Sequence, residues 1–226
     1  MRKQTVYLVG AGPGDDKLIT VRGRELIEKA DFIIYDYLAN PEHLCHAGDK
    51  AVKICVGKGF RYRPLTQNKI NRLIVRSAKN GKRVVRLKGG DPYLFGRGGE
   101  EALHLFQNKI PFEVVPGITS AMACAAYAGI PLTHRDAASH VTVVAGQNSA
   151  MGEEAPEDRW APYHYLPRKT MVILMGFAQA ENIAKRLVSL GWPGDTPAAL
   201  ISCGTYSNQR KKKWMRSAPF SANVPS

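Results

Sequence analysis

Between Val84 and Glu101 the chain places five glycines, a proline and six charges directly behind a short apolar run. Val84 to Leu87 has the composition of a strand, and from Glu100 onward Glu101, Ala102, Leu103, Leu105 and Phe106 continue at helical spacing, so the glycines fall on the loop between the two. A strand that feeds a helix through such a loop is the building unit of an α/β sheet, and loops at the carboxyl ends of strands are where these sheets bind ligands. Gly89 and Gly90 remove two Cβ atoms side by side, which permits positive φ and lets a ligand lie against bare backbone; Asp91 offers an acceptor next to the rigid Pro92. A tight turn uses the same residue types, so the weight of this reading rests on the rest of the chain.

The same grammar recurs along the sequence. Thr5 to Val9 is a strand opening into Gly10-Ala11-Gly12-Pro13-Gly14-Asp15, which is not the dinucleotide fingerprint, because Asp15 stands where Gly-x-Gly-x-x-Gly requires its third glycine. Asp16 is the expected cap of a helix reaching Ala30, and Phe32 to Tyr35 is a strand ending at Asp36-Tyr37. Ala51 to Val56 is a strand ending in Gly57-Lys58-Gly59, Thr66 caps a helix carrying Ile70, Leu73, Ile74 and Ala78, and Phe112 to Val115 is a fifth strand. Alternation of this kind predicts a mostly parallel sheet with helices on its faces, of domain size by Val115. Pro116-Gly117 is then the boundary between two α/β domains, residues 1–115 and 117–226. The second begins with an alanine-rich helix from Ile118 to Ala128, whose first turn, at Thr119 and Ser120, favours an anionic group. It continues with strands Val141 to Ala145, Thr170 to Met175 and Ala198 to Ser202, and with a helix from Ala180 to Leu190; the polar stretch from Gln147 to Lys169 has the length of a lid or surface insertion.

The net charge of +13 divides unevenly. Residues 210–226 hold five basic residues and no acid, which leaves 27 basic against 19 acidic residues in the body, or +8. A basic body points to a polyanionic partner. One such partner is a nucleic acid, suggested by the alternation Phe60-Arg61-Tyr62-Arg63; another is an aromatic polycarboxylate. Cys45, Cys55, Cys124 and Cys203 show no Cys-x-x-Cys spacing, and the last three sit in apolar runs that predict buried, reduced thiols and a cytoplasmic protein. No signal peptide or membrane span is expected, and the six histidines show no metal-ligand spacing.

Seven segments taken together carry a resemblance: Val9 to Asp15, Tyr35-Asp36, Val56 to Lys58, Leu87 to Pro92, Val114 to Ala121, Gly129 to Arg135 and Met175-Gly176. In order and spacing they are similar to the tetrapyrrole (corrin/porphyrin) methylases, over about residues 5–209, and most of all to the branch that methylates uroporphyrinogen III. The resemblance implies two α/β domains with the active-site cleft between them and S-adenosylmethionine as methyl donor, leaving S-adenosylhomocysteine. It further implies two C-methylations that give precorrin-2, and a homodimer that binds neither nucleic acid nor membrane. By motif it implies donor contacts at Pro13, Gly89, Gly90, Asp91, Leu94, Thr119, Ser120, Met175 and Gly204, with Asp36 as proton acceptor and Lys58 as proton donor. The substrate carries eight carboxylates, for which Arg61, Arg63, Arg86, Lys88, Arg97, His134 and Arg135 are the expected cations. Two departures stand out: the stretch from Met151 to Lys169 is looser than the family pattern, and Arg210 to Ser226 shows neither helix nor strand periodicity. The second predicts a disrupted C-terminus that leaves a sheet edge unpaired and weakens donor binding; the alternatives to the uroporphyrinogen-III reading are another precorrin methyltransferase and a weak or inactive member of the family.

Overall fold

The structure is a computed structural model that describes residues 5–57, 65–147 and 159–214. Strands β1 (Val6–Gly10), β2 (Phe32–Tyr35), β3 (Val52–Cys55), β4 (Val84–Lys88) and β5 (Phe112–Val115) are parallel throughout, in the order β3-β2-β4-β1-β5. Strands of near-continuous apolar character suit a sheet covered on both faces. On one face, helix α1 (Val21–Glu28) and the 3-10 helix Pro41–His46 set Leu26, Ile27, Leu44 and Ala47 against Val9, Ile33, Val85, Leu87 and Val115. On the other, helices α2 (Gln67–Lys79) and α3 (Gly98–Gln107) set Ile70, Ile74, Val75, Ala78, Ala102 and Leu105 against Val6, Leu8, Ile34 and Val84. The expected cap at Asp16 is corrected. Asp15 caps a separate turn, Asp16–Leu18, through Lys17 N, and α1 is capped by Thr20, whose hydroxyl accepts from Gly23 N at 3.1 Å.

The chain divides into two compact units, residues 1–120 and 121–226. The division lies beyond Pro116-Gly117 because Gly117 is tied to the first sheet: its N–H donates to Asp91 Oδ2 at 3.0 Å. Helix α4 (Ser120–Tyr127) opens at this division. In the second unit, β6 (His140–Ala145) pairs in parallel with β7 (Lys169–Leu174), and helix α5 (Ala180–Ser189) lays Ile183 on Val144 and Trp160. Trp160 departs from the reading of 147–169 as a lid or surface insertion, since its indole at 9% exposure joins the core, whereas Pro162 and residues 164–168 are exposed; residues 148–158 lie outside the described residues.

The expected lack of strand structure after Arg210 is corrected over residues 210–214. Arg210–Trp214 forms β9, antiparallel to β8 (Ala198–Ser202), and Lys211 Nζ donates to Ala128 O at 2.7 Å. Ladder hydrogen bonds come from the backbone, so a run of basic residues pairs without announcing itself by side-chain pattern, and lysines are common on edges. Residues 215–226 lie outside the described residues. The cysteine expectation is corrected as well: Cys55 and Cys203 are exposed and Cys124 is half-buried, although all four thiols are free. Cys55 ends the edge strand of its sheet, and Cys203 sits in the turn after β8, where apolar neighbours in sequence do not become neighbours in space. Among the described residues no helix is long and apolar enough to cross a membrane.

Ile74 is 1% exposed between α2 and the sheet. Ile74→Ala should lower the unfolding free energy by about 3 kcal/mol, read from the urea midpoint at unchanged m-value.

Candidate active site

Three loops converge at the carboxyl ends of β1, β4 and β5. Ala11 N donates to Lys88 O at 2.7 Å, Gly90 N to Gly12 O at 2.7 Å, and Gly12 N to Gly90 O at 3.3 Å, so the loops after β1 and β4 form one antiparallel bridge. Asp91 clamps the group: Oδ1 accepts from Tyr93 N at 2.8 Å and Oδ2 from Gly117 N at 3.0 Å. The approach is close enough to require glycine at Gly117, where a Cβ would lie 2.3 Å from Gly90 O and 2.7 Å from Gly10 Cα. Gly90 differs: its φ is +66° and nothing stands within 4 Å of its Cβ direction, so bare backbone faces open space. Pro13, Gly89, Gly90, Asp91, Leu94, Thr119 and Ser120 all belong to these loops or to the residues that continue them.

Beside them, at the end of β2, stands Asp36. In β4 the alternating positions 84, 86 and 88 face the α2/α3 layer, which sends Arg86 and Lys88 into the protein interior, each with a side chain only 2% exposed. Two carboxylates meet them. Arg86 Nη2 donates to Asp36 Oδ1 and Arg86 Nε to Glu101 Oε1 at 2.9 Å; Lys88 Nζ lies 3.1 Å from Glu101 Oε2 and 3.7 Å from Asp36 Oδ2. The remaining guanidinium group, Nη1, donates to Leu87 O and Ile34 O. Burial, with Arg86 beside it, pushes the Lys88 ammonium below its ordinary value, and Glu101 and Asp36 oppose that shift. Asp36 is the partly exposed member of this ring at 29%.

A second set of buried polar groups holds the glycine loop from the opposite face of the sheet. His43 Nε2–H donates to Ala11 O at 2.9 Å and Asn40 Nδ2 to Gly14 O at 2.8 Å, both from the segment that caps and forms the 3-10 helix. Local sequence pattern does not single out Glu101, His43 or Asn40 as functional residues. Of the three, Glu101 carries a usable signal, because residues 98, 101, 102 and 105 form one helical stripe and place an acid among core positions.

The remaining expected residues are placed as follows. Met175 and Gly204 belong to the second unit. Met175 follows β7 with φ +57°, and Gly204 follows β8, its Cβ direction blocked at 2.0 Å by Cys124 Sγ of α4. His134 and Arg135 are exposed there, His134 closing a turn with Ala138 and lying 3.9 Å from Asp136. Arg97 is exposed at the start of α3 and paired with Glu100 at 2.7 Å. Arg86 and Lys88 require correction as surface cations for a substrate: both are buried because the pleat of β4 turns them inward, and both are neutralised inside the protein. Lys58, Arg61 and Arg63 lie outside the described residues. Among the described residues no cluster of three or more His, Cys, Asp or Glu side chains is placed to hold a metal ion.

Two tests follow from this geometry. Gly117→Ala forces a methyl group into backbone on two sides, and should cost about 3 kcal/mol of unfolding free energy in urea. For His43, burial lowers the imidazole below its ordinary 6.5, against the opposing pull of the Ala11 hydrogen bond. The unfolded chain therefore takes up this proton first as pH falls, so the stability His43 contributes is complete above about pH 6.5 and is lost below it. Between pH 6.5 and 5, the stability of His43→Gln should fall less steeply than that of the parent protein, by up to about 1.4 kcal/mol per pH unit.

Comparison with known proteins agrees with this architecture. A family model described as Tetrapyrrole (Corrin/Porphyrin) Methylases matches residues 5–217. The chain is 50% identical over 205 residues to the uroporphyrinogen-III C-methyltransferase of Bacillus subtilis, covering 91% of this chain and 79% of the relative. It is 48% identical to the siroheme synthase of Nitrosococcus oceani, again over 91% of this chain but only 43% of that longer protein. The uroporphyrin-III C-methyl transferase of Thermus thermophilus, solved in complex with S-adenyl homocysteine, superposes with a TM-score of 0.79 at 38% identity, covering 93% of this chain and 88% of that one. With the glycine loops, the buried ion pairs and these similarities in agreement, the chain belongs to the tetrapyrrole methylase family.

Proposed function

We propose that this chain transfers methyl groups from S-adenosylmethionine to two ring carbons of uroporphyrinogen III, giving precorrin-2. The observation that carries the reading is the junction of the loops after β1, β4 and β5 beside Asp36, in a chain 50% identical to a uroporphyrinogen-III C-methyltransferase. S-adenosylmethionine, when bound, supplies an electrophilic methyl group that needs little activation. The residues present suit it: Gly90 opens unobstructed backbone at the loop junction, and Asp91 is immobilised by two amides. Pro13, Gly89, Gly90, Asp91, Leu94, Thr119, Ser120, Met175 and Gly204 are the proposed donor contacts. Their task is orientation and exclusion of water, which is where most of the rate comes from in a transfer of this kind.

Once a ring carbon is methylated, a proton must leave the tetrapyrrole. Asp36 is the proposed acceptor, since its carboxylate is the solvent-reaching member of a ring whose other members are buried. Lys58 is the proposed proton donor. Arg61, Arg63, Arg97, His134 and Arg135 are proposed to pair with the substrate carboxylates, a use for the basic body of the chain. The proposal includes a homodimer working in the cytoplasm.

Calorimetric titration with S-adenosylhomocysteine at physiological salt should give micromolar binding, about −8 kcal/mol. Asp36→Asn should keep that affinity while lowering the methylation rate about 100-fold. Absence of binding heat, or full activity of Asp36→Asn, would count against the respective part of the reading.

A further inference from the structure

We infer that Glu101 is a positioning residue for Asp36, acting through Arg86 and Lys88. The inference rests on the reading of Asp36 as proton acceptor. Glu101 touches neither loop junction nor solvent: its side chain is fully buried in the first turn of α3. One oxygen accepts from Arg86 Nε at 2.9 Å and from Gln67 Nε2 at 3.1 Å, and the other lies 3.1 Å from Lys88 Nζ. The same two cations reach Asp36 with their remaining donors. The four side chains therefore close a ring in which each cation is shared between a buried carboxylate and a partly exposed one.

Sharing has two consequences for Asp36. Arg86 has a fixed fork, with Nε on Glu101 and Nη1 on the carbonyls of Leu87 and Ile34, so the direction in which Nη2 meets Asp36 is set by Glu101 and the strand backbone. The ring is also neutral, two cations against two anions. When Asp36 takes up a proton, the ring gains one positive charge; without Glu101 it would go from one to two in a site with little water, and proton uptake would be opposed. Gln67, with its own amide also donating to Asn71 Oδ1 at 2.8 Å, keeps Glu101 from rotating away. The described titratable and charged groups around Asp36 are Arg86 and Lys88 of β4, Glu101 of α3, and its neighbours Tyr35 and Tyr37; α2 contributes the neutral Gln67 and Asn71.

The test is a double-mutant cycle on the methylation rate, measured in single turnover. Glu101→Gln should lower the rate about tenfold with less than about twofold change in KM or in S-adenosylhomocysteine affinity. In the Asp36→Asn background the same substitution should change the rate by less than about twofold, because the group it acts through is gone. Equal losses in both backgrounds, or no loss from Glu101→Gln alone, overturn the inference. The behaviour of Asp36→Asn by itself reports separately on the proton-acceptor reading. Should Glu101→Gln fail to fold, Gln67→Ala, which leaves all four charges in place, carries the same cycle, with a loss expected only where Asp36 is present.

Discussion

Two cations buried in the first sheet set the terms for the surrounding side chains. An arginine and a lysine taken out of water cost several kcal/mol each unless carboxylates meet them at short range, and removing one partner leaves an uncompensated charge. Arg86 and Lys88 are met by Glu101 from α3 and Asp36 from the end of β2, with Gln67 of α2 joining the ring. One ion-pair ring thus holds together two neighbouring strands and both helices of one layer. It leaves a single carboxylate reaching toward solvent at the edge of the sheet where ligands bind in this architecture.

The loop junction depends on a different constraint, the close approach of backbone. Asp91 joins the β4 loop to the β5 loop, while Gly12 and Gly90 join it to the β1 loop. The β4 loop then folds back on itself through Gly98 N and Pro92 O at 3.0 Å where α3 begins, which puts Glu101 within one turn of that contact. The glycine loop and the acid behind Asp36 are consequently placed by one continuous segment of chain. On the other face, His43 and Asn40 secure the β1 loop by its carbonyls, so both sides of the sheet contribute to holding the same edge.

Much of this arrangement is legible in the amino-acid sequence. The strand, glycine-loop and helix order at 84–107 and the strands Phe32–Tyr35 and Phe112–Val115 appear where local pattern places them, and β1 lies within one residue of its expected bounds, because apolar periodicity and glycine position are local signals. The direction of Arg86 and Lys88 is not legible there. Their charge suggests a polyanionic ligand, whereas the pleat of β4 faces them to α2 and α3, and only a partner such as Glu101, far along the chain from Asp36, makes that burial tolerable. The burial of Trp160 and the pairing of Arg210–Trp214 with β8 escape local pattern for the same reason, since each depends on a partner distant in sequence.

By itself the sequence determined the α/β class, the parallel alternation and the glycine loops, which follow from short-range spacing of residue types, and its ordered motifs carried the resemblance to the family. Only the tertiary structure decided which charges face inward, which acid neutralises them, and that a basic, patternless segment completes a strand pair. Those outcomes are set by contacts between residues remote along the chain, whose free energy depends on burial and on backbone pairing rather than on anything their immediate neighbours encode.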